Sequence, residues 1–159
     1  MNPSAFDVPN HPRYFEDYVP GSIFEFGTSP VDGTEVHSFA QRFDPQAIHI
    51  DAEVAARGPF GGSIASGWHT AGLMMRLYVT HYLSDASSLG SPGVDELRWI
   101  QPVRAGDILR IRLTVLEARR SRSKPDRGMV RTFVEVLNQK DDVVMSLKAM
   151  NMIRCKETT

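Results

Sequence analysis

The sequence predicts an α+β fold in which a curled antiparallel sheet wraps around one long central helix. Two patterns carry that expectation. Residues 67–83 (GWHTAGLMMRLYVTHYL) form the longest helical run and are apolar on nearly every side, so the helix is expected to be buried on most of them. Beyond residue 93 the pattern switches to period two and stays there through several segments joined by short turns, as an antiparallel meander requires. One buried helix followed by a meander satisfies both only if the sheet curls around the helix.

Taken in order, residues 1–21 are rich in proline and polar groups and read as an irregular lead-in, with a single domain over 22–155. Ser22–Ser29 (SIFEFGTS) alternates as a short strand. Val36, Phe39, Ala40 and Phe43 then fall at helical spacing, with Asp32 or Thr34 as the N-cap. Residues 44–62 read as a folded loop, with one helical turn around DAEVAAR. In the long helix, about 25 Å at 1.5 Å per residue, Ser66 is the expected cap. Trp68, Ala71, Met75, Tyr78 and Tyr82 mark one face. Val94–Val103 is the first strand after it. Leu109, Ile111, Leu113 and Val115 mark the next, Val130, Thr132, Val134 and Val136 a third, and VVMSLKAMNMI the last.

Composition excludes several classes. The chain has 159 residues, 42% hydrophobic and 23% charged, and a formal net charge of -1, so no global field draws it to nucleic acid or an acidic membrane. Its single cysteine, Cys155, makes neither an internal disulfide nor a metal framework. The first residues carry acids and prolines where a secretory leader needs a basic start and an apolar stretch, and no window reaches the length of a spanning helix. A soluble cytoplasmic domain is therefore expected, without a metal and without nucleic-acid or membrane partners. No P-loop, G-x-G-x-x-G, H-E-x-x-H, C-x-x-C or G-x-S-x-G is present, and the glycine-rich GPFGGSIASG lacks the lysine of a phosphate loop.

What remains is FDPQAIHIDA (43–52) followed by GPFGGSIASGWHT (58–70). On residue type alone, an Asp beside a Pro forms turns and a loop His is a hydrogen-bonding core group. Together the two segments resemble the MaoC-like dehydratases, the family of the R-specific enoyl-CoA hydratases. Their motif D-x-N-P-x-H-x-D follows a short helix and precedes an I-x-x-G that opens the central helix. Asp44 and His49 stand five apart as in that motif, Asp51 follows, and Gly67 opens the helix. The likeness continues through GVDELRWIQPVRAGDIL (93–109) and spans roughly Tyr14 to Ile153. One departure stands out: Gln46-Ala47 replaces the family's Asn-Pro, and the proline sits at Pro45.

The resemblance implies a hotdog fold, a homodimer or a multiple of one, and addition of water to a trans-2-enoyl-CoA to give a 3-hydroxyacyl-CoA. Coenzyme A enters as part of the substrate, with no other cofactor. It casts Asp44 as the group that takes the water proton, His49 as the group that positions that water, and the Gly67 N–H as the donor to the thioester oxygen. Glycine there also allows close approach of the acyl chain. Ser66 and Trp68, flanking Gly67, join it as substrate-binding candidates. The basic run Arg119, Arg120, Arg122, Lys124, Arg127 is a solvated turn or, through Arg120 and Arg122, a clamp for the coenzyme phosphates. Nucleic-acid binding by the run lacks interleaved aromatics. Asp51 is expected to cap the turn after it, and His69 and His81 to be satisfied structural groups. His37 belongs on a solvated face, and Met74 and Met75 in the core or an acyl tunnel. Two rivals remain. A hotdog thioesterase usually carries a carboxylate on the central helix, and 67–83 has none. A non-catalytic acyl-CoA-binding subunit would be expected to lack Asp44 or His49.

Overall fold

The computed structural model describes residues 4–157. The alternating segments become β3 (Ile108–Arg120), β4 (Arg127–Leu137) and β5 (Val143–Arg154), a meander in which neighbours pair antiparallel. Alternation is what sends Leu109, Ile111, Leu113 and Val115 of β3 to one face, with Val130, Thr132, Val134 and Val136 of β4 beside them, all buried. β1 (Ile23–Pro30) pairs with the outer edge of β3. The sheet thus has five strands in the order β1-β3-β4-β5-β2 and an open rather than closed outline.

The long helix α4 (Gly67–His81) covers the buried face. Leu73, Met74, Leu77 and Tyr78 join the sheet's apolar side chains in one cluster. Two buried hydroxyls fix its pose: Tyr78 donates to Asn151 Oδ1 at 2.8 Å, and Tyr82 meets Thr132 Oγ1 at 2.7 Å. Each satisfies a polar group the apolar face would otherwise strand. Burial on most sides, expected from composition, is corrected here. Trp68, Gly72, Met75 and Val79 point away from the sheet and are exposed. The inward face runs through His69, Thr70, Leu73, Met74, Leu77 and Tyr78 instead of Trp68, Ala71 and Met75. A run apolar all round has no moment to tell which stripe faces in.

Three further differences concern segments around the site. The strand expected over Val94–Val103 is shorter, β2 (Gly93–Trp99), and lies outside the meander, beside β5 at the far edge. Glu96 takes a positive φ (53°) where the β2–β5 register slips, and the chain leaves the ladder before Pro102, which has no N–H to donate. Residues 44–62 contain two short helices, α2 (Ala47–Ile50) and α3 (Ala52–Arg57), where a single turn was expected. Residues 4–21 pack into the domain. Phe6 and Tyr18 lie in the core, and the fully buried Arg13 donates to the carbonyls of Ala5, Val8 and Leu83, the last just beyond the end of α4.

Candidate active site

Asp44 closes α1 (Gly33–Phe43), whose N-cap is Asp32, accepting from Glu35 N at 2.8 Å. The Asp44 N–H donates to Ala40 O, and Pro45 disfavours helical geometry at Asp44 and ends the helix there. One extended residue later, Gln46 begins α2. This single turn carries His49 back so that its Nε2 stands 3.2 Å from Asp44 Oδ2, with the imidazole 5% exposed and the carboxylate 16%. The next turn is fixed by Asp51, which caps α3 by accepting from Glu53 N and Val54 N, as expected.

Hydrogen bonding sets the protonation pattern. His49 Nδ1 lies 2.7 Å from Ile64 O, and a carbonyl only accepts, so Nδ1 holds the proton. In the neutral ring the lone pair of Nε2 therefore faces Asp44. Asp44 in turn receives the Gln46 side-chain N–H on Oδ1 and the Ser66 hydroxyl on Oδ2, each at 2.7 Å. The Gln46 amide and the Ser66 hydroxyl hold the Asp44 carboxyl below its ordinary range against the opposing effect of burial. Gln46 thus supplies a donor to Asp44 where the resembled motif has a different side chain.

Ser66 reaches Asp44 because its segment is pinned on both sides. Ala65 N donates to Val103 O at 2.7 Å and Ile64 N to Ile48 O at 3.3 Å. Its hydroxyl also accepts from Trp68 N at 3.3 Å, capping α4. Ser66 is fully buried and sits behind Asp44, so it orients the carboxylate; the expectation that it touches substrate is corrected. Gly67 follows as the first residue of α4, and its N–H has no acceptor among the described residues.

These groups face a cleft of about 320 Å³. Asp44, Gln46 and His49 form one wall and Gly67 the helix tip, while Phe60, Trp68, Trp99 and Ile100 make the remainder largely apolar. Trp68 and Trp99 meet edge to face, ring centroids 5.1 Å apart. A Cβ at Gly67 would overlap the Trp99 indole, so Trp99 by itself requires glycine here. Arg104, read from the sequence only as part of a turn, donates to the carbonyls of Phe60 and Ser63 and so anchors the glycine-rich loop at the cleft mouth. No local pattern marks it, because its partners lie some forty residues earlier in the chain.

The two candidate phosphate-clamp arginines lie elsewhere. Arg120 pairs with Glu16 at 2.9 Å, and both Arg120 and Arg122 line a concavity at the tip of the β3–β4 hairpin. Across the ladder, Arg120 is level with Ile153 of β5. The cleft touches β5 at Val144, nine residues back and about 30 Å away at the usual strand rise. Within one chain, Arg120 at the end of β3 and Arg122 in the turn after it therefore stand far from the Asp44 carboxylate. Met74 is core and Met75 is exposed, and neither lines the cleft. His37 is exposed, and His81 is half-buried and stacked on Phe26. His69 is satisfied on one side only: Nε2 meets Glu35 Oε1 at 2.9 Å, and Nδ1 is buried without a partner. Among the described residues no group of three or more His, Cys, Asp or Glu side chains is placed to hold a metal ion. Among the same residues no helix is long and apolar enough to cross a membrane.

The same architecture and sequence pattern occur in known proteins. The crystal structure of a MaoC-like dehydratase from Rhodospirillum rubrum superposes with a TM-score of 0.85 at 36% identity, covering 92% of this chain and all of that one. A double-hotdog protein from Mycobacterium tuberculosis superposes at 0.77 and 17% identity over 92% of this chain and 46% of its own, a likeness of fold alone. The 3-hydroxybutyryl-CoA dehydratase of Methylorubrum extorquens is 35% identical over 109 residues, 65% of this chain and 64% of that protein. The sequence profile of the MaoC like domain matches residues 18–138, a span that holds the Asp44–His49 pair, Ser66 and Gly67 together. On that match and this fold, the chain belongs to the MaoC-like dehydratase family.

Proposed function

We propose that this protein reversibly adds water to a trans-2-enoyl thioester, with coenzyme A as the carrier and an R-3-hydroxyacyl thioester as the product. The observation that carries the reading is the facing pair of acceptors, Asp44 Oδ2 and the bare Nε2 of His49, at the wall of an apolar cleft. A water between two acceptors donates one O–H to each and turns an oxygen lone pair toward the cleft. Attack of that oxygen on C3 moves the C2=C3 electron pair toward the carbonyl, leaving negative charge on the thioester oxygen. The proton released by the water passes to the Asp44–His49 pair and is delivered to C2 as the carbonyl re-forms, so protons balance within the step. The free N–H of Gly67, at the positive end of α4, is the donor for that oxygen; one such donor is worth about 3 kcal/mol in the transition state. Kinship to a 3-hydroxybutyryl-CoA dehydratase supports the substrate class.

The proposal includes a homodimer. Trp68, Met75 and Val79 form an exposed apolar stripe along α4. Val94, Trp99 and Ile100 are exposed beside the unpaired edge of β2. Apolar surface next to an open strand edge is what a second copy of the chain covers. Light scattering at micromolar concentration is expected to report a dimer or larger; an active monomer would remove this part of the proposal. The activity is tested by following the enoyl absorbance of a panel of enoyl- and 3-hydroxyacyl-CoA thioesters. Absorbance change in neither direction, with free thiol release instead, would favour thioester cleavage and overturn the hydratase reading.

A further inference from the structure

Two acid–imidazole pairs flank the start of α4, and the proposed reaction uses only one. The second joins His69 to α1. His69 is 4% exposed, its Nε2 stands 2.9 Å from Glu35 Oε1, and its ring lies nearly parallel to that of Phe39, centroids 4.9 Å apart at 14°. Nδ1 is buried without a partner. A proton there would be a buried donor with no acceptor, so the neutral ring carries its hydrogen on Nε2 and donates it to Glu35. For packing alone an apolar side chain would serve better at this position, since half of the imidazole's hydrogen-bonding capacity is stranded. What the imidazole adds is direction.

That direction matters because α1 is sparsely anchored. Its buried residues are Val36 and Ala40. Glu35 and Phe39, four apart, share the helix face that meets His69. Asp44 caps the same helix nine residues after Glu35, about 13 Å further along the axis. Three residues before His69 on the α4 side, Ser66 holds the Asp44 carboxylate. The two helices are therefore tied at two points, one near each end of α1. The Ser66 tie holds α1 at its Asp44 end, and the His69 clasp adds a second point of contact with α4 near the other end, beside the buried Val36. We infer that His69, by clasping Glu35 and Phe39, is a positioning residue that sets the angle of α1 and thereby the aim of the Asp44 carboxylate in the cleft. The inference rests on the proposed role of Asp44, but one of its readouts does not.

The test compares Glu35→Ala and His69→Ala with Glu35→Gln and His69→Gln. Glu35 is half exposed, so its variants fold even if His69→Ala does not. The first readout is the titration of the Asp44 side-chain carboxyl by carbon-13 NMR, which is independent of the reaction catalysed. The second is kcat and KM for enoyl-CoA hydration. The alanine variants are expected to move the Asp44 midpoint up toward the ordinary carboxylate value as its donors lose register. They should also lower kcat about tenfold, with KM within about twofold. The glutamine variants re-form the bond, as donor from 69 or acceptor at 35, and should restore both readouts. A moved titration in a protein that hydrates no enoyl thioester would leave the positioning role standing and remove the proposed function. Folded alanine variants with wild-type Asp44 titration would overturn the inference, as would glutamine variants as impaired as the alanines.

Discussion

Replacing Ser66 with alanine separates two tasks of one hydroxyl by their dependence on pH. The hydroxyl donates to the Asp44 carboxylate at 2.7 Å and accepts from Trp68 N at 3.3 Å as the cap of α4. A hydrogen bond to a charged acceptor contributes about 1.5–3 kcal/mol. Asp44 keeps 16% of its side chain exposed, so water takes up part of the lost bond and about 1.5 kcal/mol is appropriate. Loss of the cap adds about 1 kcal/mol. Ser66→Ala should therefore destabilise by about 2.5 kcal/mol at pH 7, a fall in Tm of roughly 5–10 °C for a chain of this size. Because Asp44 has a folded pKa below its unfolded one, its contribution is full above the unfolded value and is lost as pH falls through the folded one. The penalty of Ser66→Ala should shrink toward the cap's share of about 1 kcal/mol as pH falls through the folded value. Urea unfolding of both proteins from pH 7 down through the titration of Asp44, followed by carbon-13 NMR of its carboxyl, reads this directly. A penalty that stays constant across that range would show that Ser66 serves only as a helix cap and that its bond to Asp44 contributes nothing.

Asp44→Asn should lower kcat by roughly 10²–10⁴-fold in a folded protein, and His49→Ala comparably. Their double variant should lose little more than either alone, since a pair that shares one water fails as a unit, and steady-state kinetics of the three variants decides it. Gly67→Ala should lower both thermal stability and turnover, because its methyl overlaps the Trp99 indole. Adding Trp99→Ala should restore stability, and restored turnover in that double variant is the outcome if the Gly67 N–H, left in place, is the donor to the thioester oxygen.

The three meander strands were legible because one face of each is apolar and the other is not, which period two exposes directly. β2 was misplaced for the converse reason. Most of its residues are exposed, and its partner β5 lies some fifty residues later on the far side of β4 from β3, where no local signal reaches. The four residues of α2 are too few for periodicity to register, although this turn is what returns His49 to Asp44. Arg13 shows the same limit from another side. A buried cation satisfied by three backbone carbonyls has no partner of opposite charge to be recognised by, so the residues around it read as an irregular lead-in. The run Arg119–Arg127 was visible as charge, but charge gives no place. Only strand length, ten residues of β3 beyond Arg110, carries it to the end of the sheet away from the cleft.

The site itself shows what a motif constrains. The Asp-to-His spacing and the helix-opening glycine were readable through the resemblance to the family motif; in the fold α2 turns within that spacing and Ser66 caps the helix that the glycine opens. Gln46-Ala47 stands where the resembled motif has Asn-Pro. In the fold, Pro45 has already ended α1, so the turn no longer depends on a proline at 47, and the longer Gln46 side chain reaches back two residues to donate to Asp44 Oδ1. Ser66 supplies the donor to Oδ2 from the start of another helix. With both oxygens held, the carboxylate cannot rotate away from His49, and Oδ2 is left to share a water with Nε2. The requirement placed on the sequence is thus a pair of donors at fixed positions around one carboxylate, which more than one residue at 46 can meet.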